Sequence, residues 1–249
     1  MATGKQPRVV LIIQGRMAAT RLPGKPLKPV LGRPLLAYLI ERVQRCKTVD
    51  AIVVATTTNS LDGAIAEFCQ KNHIACFRGS ESDVLDRYLQ AARHYKADVI
   101  VRVTGDCPLI DPQVIDTVVS YFLQHKPPLD YATNCLERTF PRGMDVEVFS
   151  MKSFEKVAKK AKNESEREHV TPYYYRHPEL FKLGNVTRET DDSRYRLTVD
   201  EEDDFTLIET LLKAIYVDKP HFTLEDILQV FKQHPEWIKI NAHVQQKLV

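Results

Sequence analysis

Four short apolar runs, Val9 to Ile13, Ala51 to Ala55, Ile74 to Phe77 and Val99 to Val103, constrain this chain more than any other feature. All are too short for a helix, and the first two are unbroken, the pattern of a strand buried on both faces in a parallel sheet; the last is broken only by Arg102. The stretches between them carry apolar residues at helical spacing. These are Leu35, Leu36, Leu39, Ile40 and Val43 behind Pro34; Ile65, Phe68 and Cys69 within Ser60 to Asn72; and Val84, Leu85, Tyr88, Leu89 and Ala92 within Asp83 to Tyr95. Strand and helix in alternation, with short connections, predict right-handed βαβ units. The fold expected is α/β, a three-layer α/β/α sandwich around a mostly parallel central sheet. Ligands of such sheets bind beyond the carboxyl ends of the strands, so the segments leaving those ends are where a site is sought.

From about Pro127 the alternation is lost. Strands are expected at Leu129 to Thr133, Val146 to Phe149, Phe181 to Val186 and Tyr195 to Val199. Helices are expected at Met151 to Lys162, Glu164 to Arg176 with a break at Pro172, Asp203 to Tyr216 with Asp203 as N-cap, and Thr223 to Gln233. Residues 1–249 read as one domain, with a small inserted α+β lobe at 127–185 that covers the site and carries a subunit interface, hence a homodimer. The formal net charge is only +2, with both signs spread along the chain, which argues against a nucleic-acid partner. No apolar run approaches the ~18 residues of a membrane span, and the polar start MATGKQPR leaves no room for a signal peptide. Five cysteines, an odd number without a CxxC pair or zinc-like spacing, fit reduced thiols in the cytoplasm.

The first apolar run ends abruptly at Gln14-Gly15-Arg16. From Gln14 to Arg33 there are five cations (Arg16, Arg21, Lys25, Lys28, Arg33), no acid, three glycines and, counting Pro34, four prolines. This predicts a stiff, positively charged loop whose amides at Gly15 and Gly24 can approach an anion, and a polyphosphate suits it. The spacing is not GxxxxGK[ST], and Pro23, Pro26 and Pro29 forbid the helix that a GxGxxG turn would open. A solvated basic surface is the plain alternative. Asp106 follows VIVRVTG and Asp200 follows YRLTV, so both are expected at the sheet's carboxyl edge, on parallel neighbours. There two carboxylates would hold Mg2+ against phosphate oxygens. A helix cap or turn is the ordinary alternative for each.

The pattern GRxxATRLPGKPLxxxxGRPLL at residues 15–36 resembles the nucleotide-binding signature of the sugar cytidylyltransferases, which include the 3-deoxy-manno-octulosonate and acylneuraminate enzymes. Within that family the spore-coat polysaccharide branch is nearest. The resemblance covers nearly the whole chain and is most specific over the first 110 residues. It implies a nucleotide-diphospho-sugar transferase-like fold and a loop wrapped around the triphosphate of CTP. Gln14, Gly15, Arg16, Arg21 and Lys25 would bind the nucleotide, with Arg16 and Lys25 on the phosphates. GDCPLID resembles the family's metal-binding GDxPLI and so places Asp106. TVDEEDD resembles its VDTPED-like segment and places Asp200, although Glu201-Glu202 stand where the family has Thr-Pro. GSESDVLDRY resembles a stretch near the nucleobase, which puts Arg78, Ser80 and Asp83 in the base pocket. Asp83 and Asp86 serve equally well as first-turn acids of a helix.

For the acceptor, an acidic sugar or sugar phosphate requires cations and its hydroxyls require acceptors. Arg142, Asp145 and Glu147 in PRGMDVEVF are candidates, as are Arg167, His169 and Tyr173 in EREHVTPYYYRHP, a stretch resembling the spore-coat branch; an Arg167–Glu164 surface pair is the alternative. Nucleotidyl transfer is in-line attack on an α-phosphate with loss of pyrophosphate, and its barrier is mainly electrostatic. Arg16, Lys25 and Asp106 are therefore the catalytic candidates, with Mg2+ as cofactor; no general base stands out among eight mostly isolated histidines. The expected activity is transfer of CMP from CTP to an acidic sugar or sugar phosphate in surface or spore-coat polysaccharide synthesis. A glycosyltransferase of the same sandwich fold is the first rival, disfavoured because Asp106-Cys107-Pro108 stands where a DxD is expected. A non-catalytic nucleotide binder is the second, disfavoured by Lys25 together with Asp106.

Overall fold

A computed structural model describes residues 6–246; the first five residues of the polar N-terminal stretch lie outside them. Strand β1 (Val9–Gln14) is an interior strand, third in order, of a seven-stranded sheet. The chain leaves it through the cationic loop, which ends in a tight hairpin of β2 (Pro29–Val30) and β3 (Arg33–Pro34). Leu31 and Gly32 turn that hairpin with positive φ at both central positions, the conformation that matches the twist of paired strands. Then follow α1 (Leu35–Val43), β4 (Ala51–Thr57), α2 (Gly63–Lys71), β5 (Ala75–Gly79), α3 (Val84–His94) and β6 (Val99–Thr104). Beyond β6 come α4 (Pro112–Gln124), β7 (Tyr131–Thr133), β8 (Glu147–Ser150), α5 (Met151–Lys160), α6 (Glu164–His169), α7 (Pro172–Arg176), β9 (Leu183–Asn185), α8 (Glu202–Ile215) and α9 (Leu224–Gln233).

The sheet order is β5-β4-β1-β6-β8-β7-β9. The first four strands are mutually parallel, while β8 runs antiparallel to both β6 and β7. Because β4 lies on one side of β1 and β6 on the other, the strand order reverses between β1 and β6, where a doubly wound sheet opens a crevice. Alternate residues of β1 go to opposite faces: Val9, Leu11 and Ile13 join the core under α1, α4, α8 and α9, whereas Val10 and Ile12 join the one under α3, α5 and α7. Both faces are covered, as the unbroken apolar runs require.

Several expectations are corrected. Residues 195–199 are extended but form no strand of the sheet; a single bridge joins Arg142 to Arg196. Asp200 therefore does not end a parallel neighbour of β6. The N-cap of α8 is Glu201, not Asp203, and a capping box joins it to Asp204. The 127–185 segment enters the main sheet through β7, β8 and β9. Helix α4 is not among the expected elements, although Val114, Ile115, Val118, Val119 and Phe122 repeat at helical spacing behind the N-cap Asp111.

Candidate active site

The crevice between the ends of β1 and β6 is set by backbone contact. Gly105 donates its amide to the Gln14 carbonyl at 2.7 Å, and a Cβ on Gly105 would lie 2.6 Å from that oxygen, so only glycine lets the two strand ends approach. The cationic loop is pinned beside them by a buried carboxylate. Asp62 accepts from the Met17 amide at 2.6 Å and from the Thr57 amide and hydroxyl at the end of β4. The two glycine amides expected at the anion are engaged within the fold, Gly15 with the Ala55 carbonyl and Gly24 with that of Met17. Gly24 is left-handed (φ 75°) and opens a one-turn 3-10 helix at Lys25–Leu27, which carries Lys25 inward.

Lys25 ends between the two aspartates. Its Nζ lies 3.2 Å from Asp106 Oδ2, 3.0 Å from Asp200 Oδ1 and 2.6 Å from the Val199 carbonyl. Burial pulls the ammonium's pKa down, but Asp106 and Asp200 outweigh it and raise the value above that of an ordinary lysine. Burial likewise pushes the Asp106 carboxyl up, and Lys25 with the Thr104 hydroxyl reverses this and holds it below the usual carboxylate range. Asp200 reaches Asp106 without a sheet ladder, because the Val199 amide donates to the Asp106 carbonyl at 2.8 Å. The Thr198 hydroxyl donates to the same carbonyl.

The other oxygen of Asp200 accepts from Arg21 at 3.1 Å and Arg196 at 2.9 Å. Arg21 also reaches Glu201 at 3.0 Å, and Lys28 binds Glu202 at 2.7 Å while lying over the Phe205 ring. Three cations of the loop thus face the acidic run Asp200-Glu201-Glu202. Arg33 pairs instead with Glu41 and Tyr216. Arg16 is exposed and makes no ion pair among the described residues.

Sequence reasoning missed Arg196 and Asp204. Asp204 is fully buried and accepts from Arg196, from Asn241 and from the amides of Asp200 and Glu201. The only signal was an arginine alternating with apolar residues in YRLTVD. It missed Arg102 as well, a lone cation in VIVRV. Arg102 lies opposite Glu147 in the β6–β8 register and pairs with it, and its other nitrogen reaches Gln14 Oε1 at 3.3 Å.

The remaining candidates divide into groups. Glu147 is buried with Arg102, Tyr131 and Thr171 as partners. Tyr173 is buried in the core, its ring 4.2 Å from that of His177. His169 is half-buried, and burial together with the charges of Arg102 and Arg176 holds its pKa below the ordinary histidine value despite Glu168. Asp83 caps α3 by accepting from the Asp86 amide, and its other oxygen takes the Arg167 guanidinium at 2.8 Å; a base-pocket candidate and an acceptor candidate are thus partners in one ion pair. The Ser80 hydroxyl accepts from the Asp83 amide, and Arg78 donates to the carbonyls of Thr57 and Asn59. Asp145 is held bidentately by Arg138, whereas Arg142 is half-buried without an ion pair among the described residues.

Two carboxylates and a carbonyl converging on one point form an all-oxygen donor set that fits a hard divalent cation. Among the described residues no cluster of three or more His, Cys, Asp or Glu side chains forms a closed metal cage. A cation here would complete its shell with water or phosphate oxygens.

Parallel β1 and β6 parting at a switch point, with a cationic loop and paired aspartates at their ends, define a nucleotidyltransferase of the nucleotide-diphospho-sugar transferase fold. Residues 10–234 match the model of the cytidylyltransferase family, and the chain belongs to that family. It is 38% identical over 242 residues to an uncharacterized protein of Methanocaldococcus jannaschii, covering 96% of this chain and 97% of that one. It is 30% identical over 235 residues to the spore coat polysaccharide biosynthesis protein SpsF of Bacillus subtilis, covering 92% of this chain and 95% of that one. The solved structure of a cytidylyltransferase from Leptospira borgpetersenii superposes with a TM-score of 0.90 at 37% identity, over 98% of this chain and all of that one. The family read from residues 15–36 is borne out.

Proposed function

We propose that this protein transfers CMP from CTP to an acidic sugar or sugar phosphate, with release of pyrophosphate, in surface or spore-coat polysaccharide synthesis. The observation that carries the reading is the convergence of Lys25 from the loop that leaves β1 with Asp106 beyond the end of β6 and Asp200 from the extended segment beside it. CTP brings about four negative charges, and attack on its α-phosphorus builds further charge on the departing pyrophosphate. Arg16, exposed and uncommitted, would meet the phosphates as a fork, with Arg21 and Lys25 following as their carboxylate partners yield. Asp106 and Asp200 would hold Mg2+, which supplies charge neutralisation at the phosphate oxygens when bound.

Gln14 and Gly15 border the nucleotide at the end of β1, with Arg78, Ser80 and Asp83 on the base side. On the acceptor side Arg142 offers an unpaired guanidinium to an anionic group, and His169 and Asp145 are half-buried. Glu147, Arg167 and Tyr173, all held by protein partners, shape that wall rather than moving with a ligand. We further propose a cytoplasmic homodimer joined through residues 127–185. The five free cysteines suit the compartment. Among the described residues no helix is long and apolar enough to cross a membrane.

The test is pyrophosphate release by the pure protein with each nucleoside triphosphate, Mg2+ and a panel of sugars. CTP with one acidic sugar should give turnover. Transfer from a nucleotide sugar without pyrophosphate would establish the glycosyltransferase instead.

A further inference from the structure

The ammonium of Lys25 has three N–H donors, and all three are spent: on Asp106, on Asp200 and on the Val199 carbonyl. In this arrangement it has nothing left to offer a phosphate. The side chain is only 14% exposed, so these protein oxygens make up most of its surroundings. The oxygens around it, two carboxylates and a carbonyl, are the donors a hard divalent cation takes. Asp200 is also held from its far side, by Arg21 and Arg196, and Arg196 is in turn fixed by the fully buried Asp204. Loss of Lys25 would leave that carboxylate where it is.

We propose that Lys25 is a resident stand-in for the metal: in the nucleotide-free protein its ammonium fills the position between Asp106 and Asp200, and a divalent cation enters by displacing it. Resting on the nucleotidyltransferase reading, this makes metal and nucleotide mutually dependent. Displacement returns a cation to the loop for the triphosphate to meet, and a triphosphate that draws Lys25 away vacates the aspartates. By linkage each then raises the affinity for the other. A permanent strut, the competing role for Lys25, predicts no exchange and no gain when its charge is removed.

The experiment is Mn2+ titration of nucleotide-free protein, followed by electron paramagnetic resonance. Lys25→Gln keeps a donor for the Val199 carbonyl and removes only the charge, and should bind Mn2+ at least about tenfold more tightly than wild type, since one charge beside a carboxylate changes its cation affinity by that order. Lys25→Gln with Asp106→Asn should lose the gain. Lys28→Gln, which removes a loop cation paired with Glu202, should bind as wild type does. Unchanged or weaker binding by folded Lys25→Gln overturns the proposal, as does an equal gain in Lys28→Gln. Wild-type crystals soaked in Mn2+ without nucleotide give a reading that needs no variant: metal between the aspartates with Nζ out of hydrogen-bond reach supports it, and Lys25 still bridging them sinks it. Pyrophosphate release by wild type with CTP is scored separately. Inactivity there removes the nucleotidyltransferase reading and leaves the Mn2+ comparison to stand alone.

Discussion

Asp200 and Asp204 are four residues apart and share Arg196, yet they do different work. Asp204 is fully buried and collects five donor contacts, two from Arg196, two from backbone amides and one from Asn241. Its replacement by alanine takes the bidentate partner from a buried guanidinium and leaves two amides and Asn241 without their acceptor, and we expect a loss of about 3–5 kcal/mol in urea unfolding. Asp106, by contrast, faces the crevice, and Asp106→Asn should keep the melting temperature while lowering turnover on the order of 10²- to 10³-fold. Comparable unfolding in both variants would reassign Asp106 to the fold. The pH response of Asp204 has a definite sign. Burial pushes its carboxyl up, but Arg196, the Asp200 amide and Asn241 bring it below the ordinary 3.8. Its stabilisation is therefore complete above about pH 4 and fades as pH falls through the lower folded value. Thermal melts from pH 6 to pH 2 should show a shallower acid loss in Asp204→Asn than in wild type.

At the scale of elements, the loop 14–33 and the start of α8 form one electrostatic unit, with Arg21, Lys25 and Lys28 set against Asp200, Glu201 and Glu202. The loop was legible because its cations and prolines are local composition, and the four parallel strands because each carries a short apolar run, unbroken in β1 and β4, where the interior of the sheet buries both faces. The partners were not legible. Arg102 finds Glu147, and Arg196 finds Asp204, through registers and approaches fixed only in three dimensions. Residues 195–199 read as a strand for the same reason: an apolar alternation records burial of one face, not whether a neighbour supplies a ladder. What keeps them against the site is Gly143, whose φ of 94° and close approach to the Leu197 carbonyl exclude a side chain. Gly143→Ala should cost about 1–3 kcal/mol and lower turnover further than that loss explains, because Asp200 rides on the displaced segment. Unaltered stability and rate in that variant would refute the coupling.

The whole molecule has two sheet edges of different character. At one, β5 lies beside α2 and α3; at the other, β9 is three residues long, and segments that adjoin it carry exposed leucines. Leu136 donates its amide to Asn185 of β9, and Leu180 precedes that strand closely, while Leu123 follows Tyr121, which packs on Gly184. Leu123, Leu136 and Leu180 are 40%, 44% and 54% exposed. A short edge strand with exposed apolar residues on the segments that adjoin it is a surface that proteins cover. In the proposed homodimer a two-fold partner would cover it with the same patch, since isologous interfaces are self-complementary. Light scattering should therefore give a mass near twice 28.6 kDa, and Leu180→Glu, which places a charge at the patch, should return the single-chain mass without a change in melting profile at low concentration. A single-chain mass for wild type at micromolar concentration would end the case for this edge as an interface and leave the acceptor side of the site to be completed by one chain alone.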